Sequence, residues 1–299
     1  MVHGSLILRS ECMSQAPDNR AVTADIKDNG PGPAQPKGRQ LLCRDVKVLT
    51  VAPYGPEGQA NGLWALEIEN PGFTRARPGQ FAMLRPPSWG FDPLWARPLS
   101  LSRILPDRLL FHFLVAGRGT GALAKLNPGE SITLWGPLGN GFAVEPGTPT
   151  LLVAGGVGLA PFVEYAAVRP DPANLSLLFG HRPPLSCYPF AELAKIMSAE
   201  SFQDKNMADI ERFVALLDER IASHAKKTSA LILACGPTPL LKTVRNLALK
   251  HGVRCQLSLE NRMACGVGAC LGCVATDTQG RHIQICAKGP VFWATKIEL

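Results

Sequence analysis

The pattern of apolar and polar positions changes twice along the 299 residues of the chain. Residues 1–40 show no apolar periodicity and end in a linker rich in Pro and Gly, which predicts a disordered tail. Residues 41–146 carry short runs of β-forming residues separated by Gly and Pro. Several short strands at this spacing predict a small antiparallel β-barrel.

Beyond residue 147, strand-like and helix-like stretches alternate. A mostly apolar run, Thr150–Ala154, is followed by a glycine turn and by a predicted helix that begins near Ala160. The stretch Met207–Lys226 has apolar residues at helical spacing, and Ala230–Ala234 reads as a further buried strand. This alternation predicts a Rossmann-like parallel α/β domain over residues 147–258, with helices on both faces of the sheet. We expect residues 259–299 to form a compact, cysteine-rich module.

Charge and hydropathy exclude two classes of partner. The net charge is +7, but Lys and Arg are scattered with no block of five, unlike the basic stripe of a nucleic-acid binder. The longest apolar run, Leu151–Val163, has thirteen residues and includes glycines, whereas a membrane-spanning helix needs about 20. The apolar stretch Ser5–Leu8 is too short for the core of a signal peptide. We therefore expect a cytoplasmic protein that binds neither nucleic acid nor membranes.

Nine cysteines are the most informative part of the composition. An odd number without a secretion signal argues against a disulfide scaffold. Four of them, Cys265, Cys270, Cys273 and Cys286, crowd into 22 residues with the spacing C-x4-C-x2-C-x12-C. The first three follow the plant-type spacing of a [2Fe–2S] cluster held by four thiolates. A structural zinc and unliganded thiols are the alternatives, although zinc ribbons favour two C-x2-4-C knuckles and here the fourth cysteine stands alone.

Two segments of the predicted barrel carry features of a flavin site. Arg97-Pro98-Leu99-Ser100 enters a strand, and an Arg with a Ser two residues beyond it can both reach one flavin or its phosphates. The glycines of 117–121 follow another strand and can present backbone N–H groups to a pyrophosphate. Alone, the tetrapeptide is more often an ordinary strand edge.

Two further segments suggest a nucleotide site in the α/β domain. Gly155-Gly156-Val157-Gly158-Leu159-Ala160-Pro161 lies between a buried strand and a helix, the setting that a dinucleotide loop requires. Cys235-Gly236-Pro237 ends another strand, although Cys235 taken singly reads as a packed core thiol. The second strand ends in 180–183 without an acidic residue, which leaves the choice between NAD and NADP open.

In their order along the chain, these motifs resemble the ferredoxin–NADP reductase superfamily, and within it the electron-transfer subunits of type B dihydroorotate dehydrogenases. The resemblance spans about residues 41–293, and the cysteine module is its most specific part. It implies a multidomain α/β plus β fold in which FAD lies in the antiparallel barrel, NAD(H) on the parallel sheet, and a [2Fe–2S] cluster in the small C-terminal module. It also implies a partner subunit that holds FMN and oxidises dihydroorotate in pyrimidine biosynthesis, with the two kinds of subunit forming a heterotetramer.

The resemblance also implies which residues bind each cofactor, and it assigns no catalytic residue to this chain. The FAD residues would be Arg97, Pro98, Leu99, Ser100, His112, Phe113, Leu114, Gly119 and Thr120. The NAD(H) residues would be Gly155, Gly156, Gly158, Pro161, Cys235, Gly236 and Pro237. The cluster ligands would be Cys265, Cys270, Cys273 and Cys286.

The chain departs from this family in two places. It adds about 40 residues before the barrel, and residues 198–206 replace an acidic, glycine-containing segment that usually precedes the next helix. Related subunits serve hydrogenases and ferredoxin-linked NAD(P) oxidoreductases, so these partners stay open at this point. Two other functions do too: a zinc-stabilised interaction module, and a ferredoxin-type carrier that binds no nucleotide.

Overall fold

A computed structural model describes residues 41–55, 62–74 and 76–299. The tail predicted over residues 1–40 lies outside the described residues. Among the helices that are described, none combines the length and the apolar character needed to cross a membrane. The described elements comprise fifteen strands and six α-helices. The strands are β1 Leu42–Pro53, β2 Leu63–Glu69, β3 Phe81–Arg85, β4 Arg97–Ser100, β5 Arg103–Ile104, β6 Arg108–Leu114, β7 Ser131–Leu138, β8 Thr150–Gly155, β9 Leu175–His181, β10 Ser198–Gln203, β11 Leu231–Cys235, β12 Arg254–Ser258, β13 Val274–Thr276, β14 His282–Gln284 and β15 Val291–Trp293. The helices are α1 Arg118–Leu123, α2 Ala160–Val168, α3 Phe190–Ala194, α4 Met207–Ala225, α5 Thr238–Lys250 and α6 Ile285–Lys288.

The first sheet is a seven-stranded antiparallel sheet with the order β4-β3-β7-β1-β2-β6-β5. It curls on itself, because β4 also lies against β6 and the backbone N–H of Ser102 donates to Leu110 O across that junction. Alternate side chains fill its interior, among them Leu66, Phe111 and Phe113, all almost fully buried. The predicted antiparallel barrel is confirmed.

The second sheet has six strands in the order β10-β9-β8-β11-β12-β15. The five strands within residues 147–258 are parallel, as predicted, and β15 adds an antiparallel edge by pairing with β12. The antiparallel strand belongs to the cysteine-rich end of the chain, which returns to the sheet after its loop. The Rossmann-like architecture is confirmed, and the domain boundaries at 146 and 258 stay a prediction.

The helices cover both faces of this sheet, as the sequence predicts. One apolar layer joins the sheet to α2 through Phe162, which is fully buried and stacks on Phe142 from the end of the barrel. The other layer joins the sheet to α4, α5 and the cysteine module. The helix α4 begins at a polar cap, where the Asn206 side chain accepts a hydrogen bond from the backbone N–H of Asp209.

Buried polar contacts hold the barrel against the second sheet. Glu164 on α2 is 4% exposed, and its carboxylate accepts hydrogen bonds from Arg103 and from the backbone N–H of Ile104. Asn140, which follows β7, donates to the carbonyls of Lys288 and Val291. The barrel thereby contacts both the α/β sheet and the cysteine module, which brings the predicted flavin strand close to the predicted cluster.

Candidate functional site

The backbone of the cysteine loop, residues 265–273, is tightly folded. Gly266 and Gly268 have φ values of +73° and +84°, where glycine is favoured, and Leu271 also has a positive φ of 56°. Successive backbone N–H groups consequently turn inward. Those of Val267 and Cys270 donate to Cys265 Sγ at 3.4 Å, and that of Gly268 donates to Cys286 Sγ at 3.1 Å.

The four sulfur atoms are arranged as two pairs. Cys270 hydrogen-bonds to Cys265 through both its backbone and its thiol, and the backbone N–H of Cys286 donates to Cys273 Sγ at 3.4 Å. Burial alone would raise the pKa of Cys265, but backbone N–H bonds outweigh it and lower the pKa to about 6. Burial and the neighbouring Cys273 raise the pKa of Cys286 to about 12. The loop therefore already favours a thiolate at the first ligand.

This donor set fits a binuclear cluster better than a single zinc ion. Zinc ribbons gather four ligands tetrahedrally around one ion. A [2Fe–2S] cluster takes two thiolates on each of its two irons, which matches the pairing of Cys265 with Cys270 and of Cys273 with Cys286. The N–H groups directed at sulfur are the kind of contact that tunes the potential of such a cluster.

The barrel packs directly on the cysteine loop. The indole Nε1 of Trp135, on β7, donates to Cys265 O at 3.0 Å. Met83, on β3, lies so close to Gly266 that a Cβ there would come within 2.6 Å of Met83 Cγ. Met83 also pairs with Pro98 across β3 and β4. One strand therefore separates the Arg97–Ser100 strand from the first cluster ligand.

Arg97 lies in a cradle that suits an anionic group. A side chain at Gly119 would overlap the guanidinium of Arg97 and displace it from this position. Burial and, to a smaller extent, the charge of Arg118 lower the pKa of Arg97. Arg118 is ion-paired with Asp92 at 2.6 Å, and Thr120 Oγ1 accepts the backbone N–H groups of Ala116 and Gly117. The structure brings these two motifs together, in a form that fits the pyrophosphate of FAD.

The strand residues His112, Phe113 and Leu114 differ in what their side chains offer. Phe113 points into the barrel core and stacks on Trp64, so only its backbone is available to a cofactor. Leu114 is 36% exposed, whereas His112 is 3% exposed and lies against the Tyr54 ring. Within the described residues, His112 Nδ1 is buried without a hydrogen-bond partner. Burial lowers the pKa of His112 to about 4, and the charge of Glu192 opposes that shift.

The glycine loop after β8 and the end of β11 meet at one point. Gly158 packs so tightly on the carbonyl of Cys235 that any side chain there would clash. Gly155 is similarly close to Pro237, while Gly156 has a φ of +54° and open space around its Cα. The strand order reverses at β8, because β9 lies on one side of β8 and β11 lies on the other. In such folds dinucleotides bind at this switch point. The helix that contains Pro161 begins directly after the loop.

Cys235 itself is buried, as the core-thiol interpretation predicts. Burial, with the charge of Glu260, raises the pKa of Cys235 to about 12, so its thiol stays protonated. Glu260 lines a cavity of about 390 Å³ together with Thr238 and Asn261. A small neutral thiol at the end of β11 takes up little space at this end of the sheet.

Sequence reasoning missed three structural parts of the site. Residues 198–203 form the edge strand β10, whose side chains are mostly half-buried and include one aromatic, so no alternating pattern marks it. Trp135 and Asn140 carry the contacts to the cysteine module, and no local pattern in the sequence indicates these contacts. The ion pair between Arg182 and Asp204, at the ends of β9 and β10, depends on that missed strand.

The comparisons with known proteins agree with this arrangement. A family model described as the iron–sulfur cluster binding domain of dihydroorotate dehydrogenase B matches residues 260–298. The chain is 31% identical over 227 residues to the "Dihydroorotate dehydrogenase B (NAD(+)), electron transfer subunit" of Caldanaerobacter subterraneus subsp. tengcongensis, covering 75% of this chain and 87% of that protein. The protein of the same name from a Geobacillus species is 35% identical over 249 residues, covering 74% of this chain and 87% of its own.

Solved structures show the same fold. The NADH-dependent reduced ferredoxin-NADP oxidoreductase, described in connection with flavin-based electron bifurcation, superposes with a TM-score of 0.71 at 24% identity, over 85% of this chain and 89% of the other. A ferredoxin NADP+ reductase from Neisseria gonorrhoeae with bound FAD and NADP gives a TM-score of 0.54 at 20% identity, over 70% and 92%. At these identities the similarity shows the fold alone.

Proposed function

The chain belongs to the family of dihydroorotate dehydrogenase B electron-transfer subunits, and from that premise we propose how its own residues serve the function. It is an oxidoreductase subunit that passes electrons between NAD(H), FAD and a [2Fe–2S] cluster in pyrimidine biosynthesis. The flavin supplies the exchange between the two-electron chemistry of nicotinamide and the one-electron chemistry of iron. The protein supplies binding, orientation and a short path between the centres.

In this proposal, Arg97 and Gly119 hold the anionic part of FAD. The guanidinium forms charge-assisted hydrogen bonds to a phosphate, and the glycine keeps the approach open. The strand of Pro98 and Ser100 then carries the flavin beside β3. The glycine loop 155–158 binds the nucleotide phosphates, and the neutral Cys235 bounds the ring end of that site.

One observation carries the proposal: the cysteine loop packs on β3, the strand next to the proposed flavin strand. Met83 pairs with Pro98 on one side and contacts Gly266 on the other, so the two redox sites share a single intervening strand. Cys273 and Cys286 are buried, whereas Cys270 is exposed. Val267 and Leu271 beside it are 47% and 58% exposed. We infer that this face is the exit toward the catalytic subunit.

The partner subunit that this exit serves holds FMN in our proposal, and the two kinds of subunit assemble as a heterotetramer. The name of the relatives, an electron transfer subunit, supports a catalytic partner. A reducing compartment suits the four thiolate ligands and the buried thiols of Cys187, Cys235 and Cys255, so the cytoplasm is the compartment we propose.

A charge placed on the exit face tests the proposal. Gly268 is a poor position, because its positive φ and its contact with Ala287 would disturb the loop itself. Val267→Arg changes only an exposed side chain, since Val267 bonds to Cys265 through its backbone. We expect NADH to reduce the flavin and the cluster at the wild-type rate, and transfer to the partner to slow at least about tenfold. Met207→Arg, on α4 and 74% exposed, is the control. Unchanged transfer in Val267→Arg, measured by stopped flow, would contradict the exit face.

A further inference from the structure

A buried carboxylate joins the barrel to the helix that follows the glycine loop. Glu164, on α2, is almost fully buried, and its Oε2 accepts hydrogen bonds from Arg103 Nη1 and from the backbone N–H of Ile104, both at 3.0 Å. Taking a charge out of water is unfavourable, and an apolar side chain of similar size would avoid that cost. Burial accordingly raises the pKa of Glu164, while the two donors oppose that shift. Stability alone does not account for a charge at this position.

The two ends of this contact lie beside the two proposed cofactor sites. Glu164 is about one turn into α2, the helix that begins after the glycine loop 155–158. On the barrel side, Arg103 and Ile104 form β5, and only a short connection separates them from the proposed flavin strand Arg97–Ser100. The contact therefore ties the segment that binds nucleotide phosphates to the segment that binds the flavin.

The bonds to Glu164 are more directional than the apolar contact made by the same helix. Phe162 stacks on Phe142 with ring centroids 5.4 Å apart, and apolar burial has no preferred direction, so such a layer tolerates small shifts. The carboxylate oxygen instead lies between the guanidinium of Arg103 and the N–H of the next residue. Charge-assisted hydrogen bonds of this kind fix both the distance and the orientation of α2 relative to β5.

We propose that Glu164 is a positioning residue for hydride exchange: by fixing α2 against β5, it sets the nicotinamide ring of the bound nucleotide against the flavin. The inference rests on the proposed function and assigns the geometry of one of its steps to a named contact. In that step NADH gives up a hydride with its two electrons and becomes NAD+, and the flavin takes the hydride and is reduced. A misplacement of about 1 Å can slow such a reaction about a hundredfold.

Two substitutions at Glu164 separate its charge from its shape. Glu164→Leu removes the acceptor, whereas Glu164→Gln keeps a carbonyl oxygen there without the charge. Reduction of the flavin in the holoprotein is followed by stopped flow over a range of NADH concentrations. We expect Glu164→Leu to lower the limiting rate at saturating NADH at least about tenfold, while the apparent Kd for NADH changes less than about twofold. Glu164→Gln should recover most of the rate.

Arg103→Met tests the same contact from the barrel side. The Arg103 side chain is 34% exposed, so this variant should fold even if Glu164→Leu does not. It should show the same split between a lowered limiting rate and an unchanged Kd. Electron transfer from photoreduced flavin to the cluster should keep its wild-type rate in all three variants, because Met83 on β3, and not β5, contacts the cysteine loop.

Glu145→Leu is the matched control. Glu145 pairs with Arg254 at 2.6 Å, and the two side chains are 20% and 18% exposed, so this variant also breaks a partly buried ion pair. Arg254 is the first residue of β12 and therefore lies at the amino edge of the parallel strands, opposite the glycine loop that follows β8. Its loss of stability should leave the limiting rate and the Kd unchanged.

The outcomes are distinct. A limiting rate that is unchanged in Glu164→Leu and Arg103→Met, or that falls only together with a rise in Kd, would overturn the positioning role and leave the proposed function in place. An equal fall in Glu145→Leu would trace the effect to a general loss of stability, and it too would overturn that role. Wild-type flavin that NADH does not reduce would overturn the proposed function, and the positioning role with it.

Discussion

The cysteine loop and the nucleotide edge, by which we mean the carboxyl ends of the strands β8 to β11, are built in opposite ways. All four proposed cluster ligands come from 22 consecutive residues, and short-range N–H bonds to sulfur shape the loop. The nucleotide edge is assembled from the ends of β8, β9, β10 and β11, which lie up to about 80 residues apart. Ligand spacing defines the first site, whereas strand order and register define the second. The two sites should therefore fail independently.

The largest expected effect is loss of the cluster from the local site with the rest of the molecule intact. Cys270→Ser removes one ligand of the pair with Cys265. We expect protein that lacks its iron and labile sulfide but retains FAD, by chemical analysis and visible absorption. Cys43→Ser is the control, because Cys43 is an exposed thiol on β1 and should leave the iron content unchanged. Loss of FAD together with iron in Cys270→Ser would show that the sites are not independent.

The next largest effect is a loss of stability at the junction between the barrel and the cysteine module. Asn140 is 4% exposed, donates to Lys288 O and Val291 O, and accepts from the backbone N–H of Val291. Asn140→Ala leaves these buried groups without partners and should lower the free energy of unfolding by about 2–4 kcal/mol. Denaturant unfolding measures this.

Asn70→Ala provides the comparison for Asn140→Ala. Asn70 makes a similar set of bonds, but to Phe73 and Leu105 in the barrel. Both variants should be destabilised, while only Asn140→Ala should release iron faster under a chelator. Equal iron release from the two variants would argue against a special role for the junction.

Removing a side chain from the proposed flavin site should have a smaller effect. Arg97→Ala removes a charged hydrogen-bond donor from the cradle beside Gly119, and FAD affinity should fall about tenfold to a hundredfold. Flavin fluorescence after dilution measures this affinity. Arg108→Ala removes an ion-paired arginine from the same barrel and should have no such effect. Full FAD retention in Arg97→Ala would remove the role given to this residue.

A further effect is a pH dependence of the free energy of unfolding that originates at His112. Burial lowers the pKa of His112 to about 4 from its usual 6.5. The unfolded chain therefore binds more protons between these values, so this contribution is fully present above pH 6.5 and is lost as the pH falls toward 4. Between pH 7.5 and pH 5 the loss should be about 2 kcal/mol. His112→Gln should flatten the profile by that amount in unfolding titrations; an identical slope would contradict it.

The contrast between the two sites also explains what the sequence could predict. The cysteine spacing and the glycine loop 155–161 stand out because each is local and needs specific residue types. The edge strand β10 was not predicted, since Ser198–Gln203 has no apolar alternation and its side chains are mostly half-buried. The antiparallel β15 lies after the cysteine loop, and nothing in its three residues shows that it returns to β12. Arg182 and Asp204 meet only through the register of these strands, which no local pattern encodes.

The most direct test of the whole account is an anaerobic titration of the isolated holoprotein with NADH, followed by absorption and electron paramagnetic resonance. The account predicts about two irons and two sulfides for each FAD, and reduction of both the flavin and the cluster, with the spectrum of a one-electron-reduced [2Fe–2S] centre. It predicts this because the loop of Cys265 packs on the strand beside Arg97–Ser100. A protein that contains zinc, or a cluster that stays oxidised while the flavin is reduced, would contradict it.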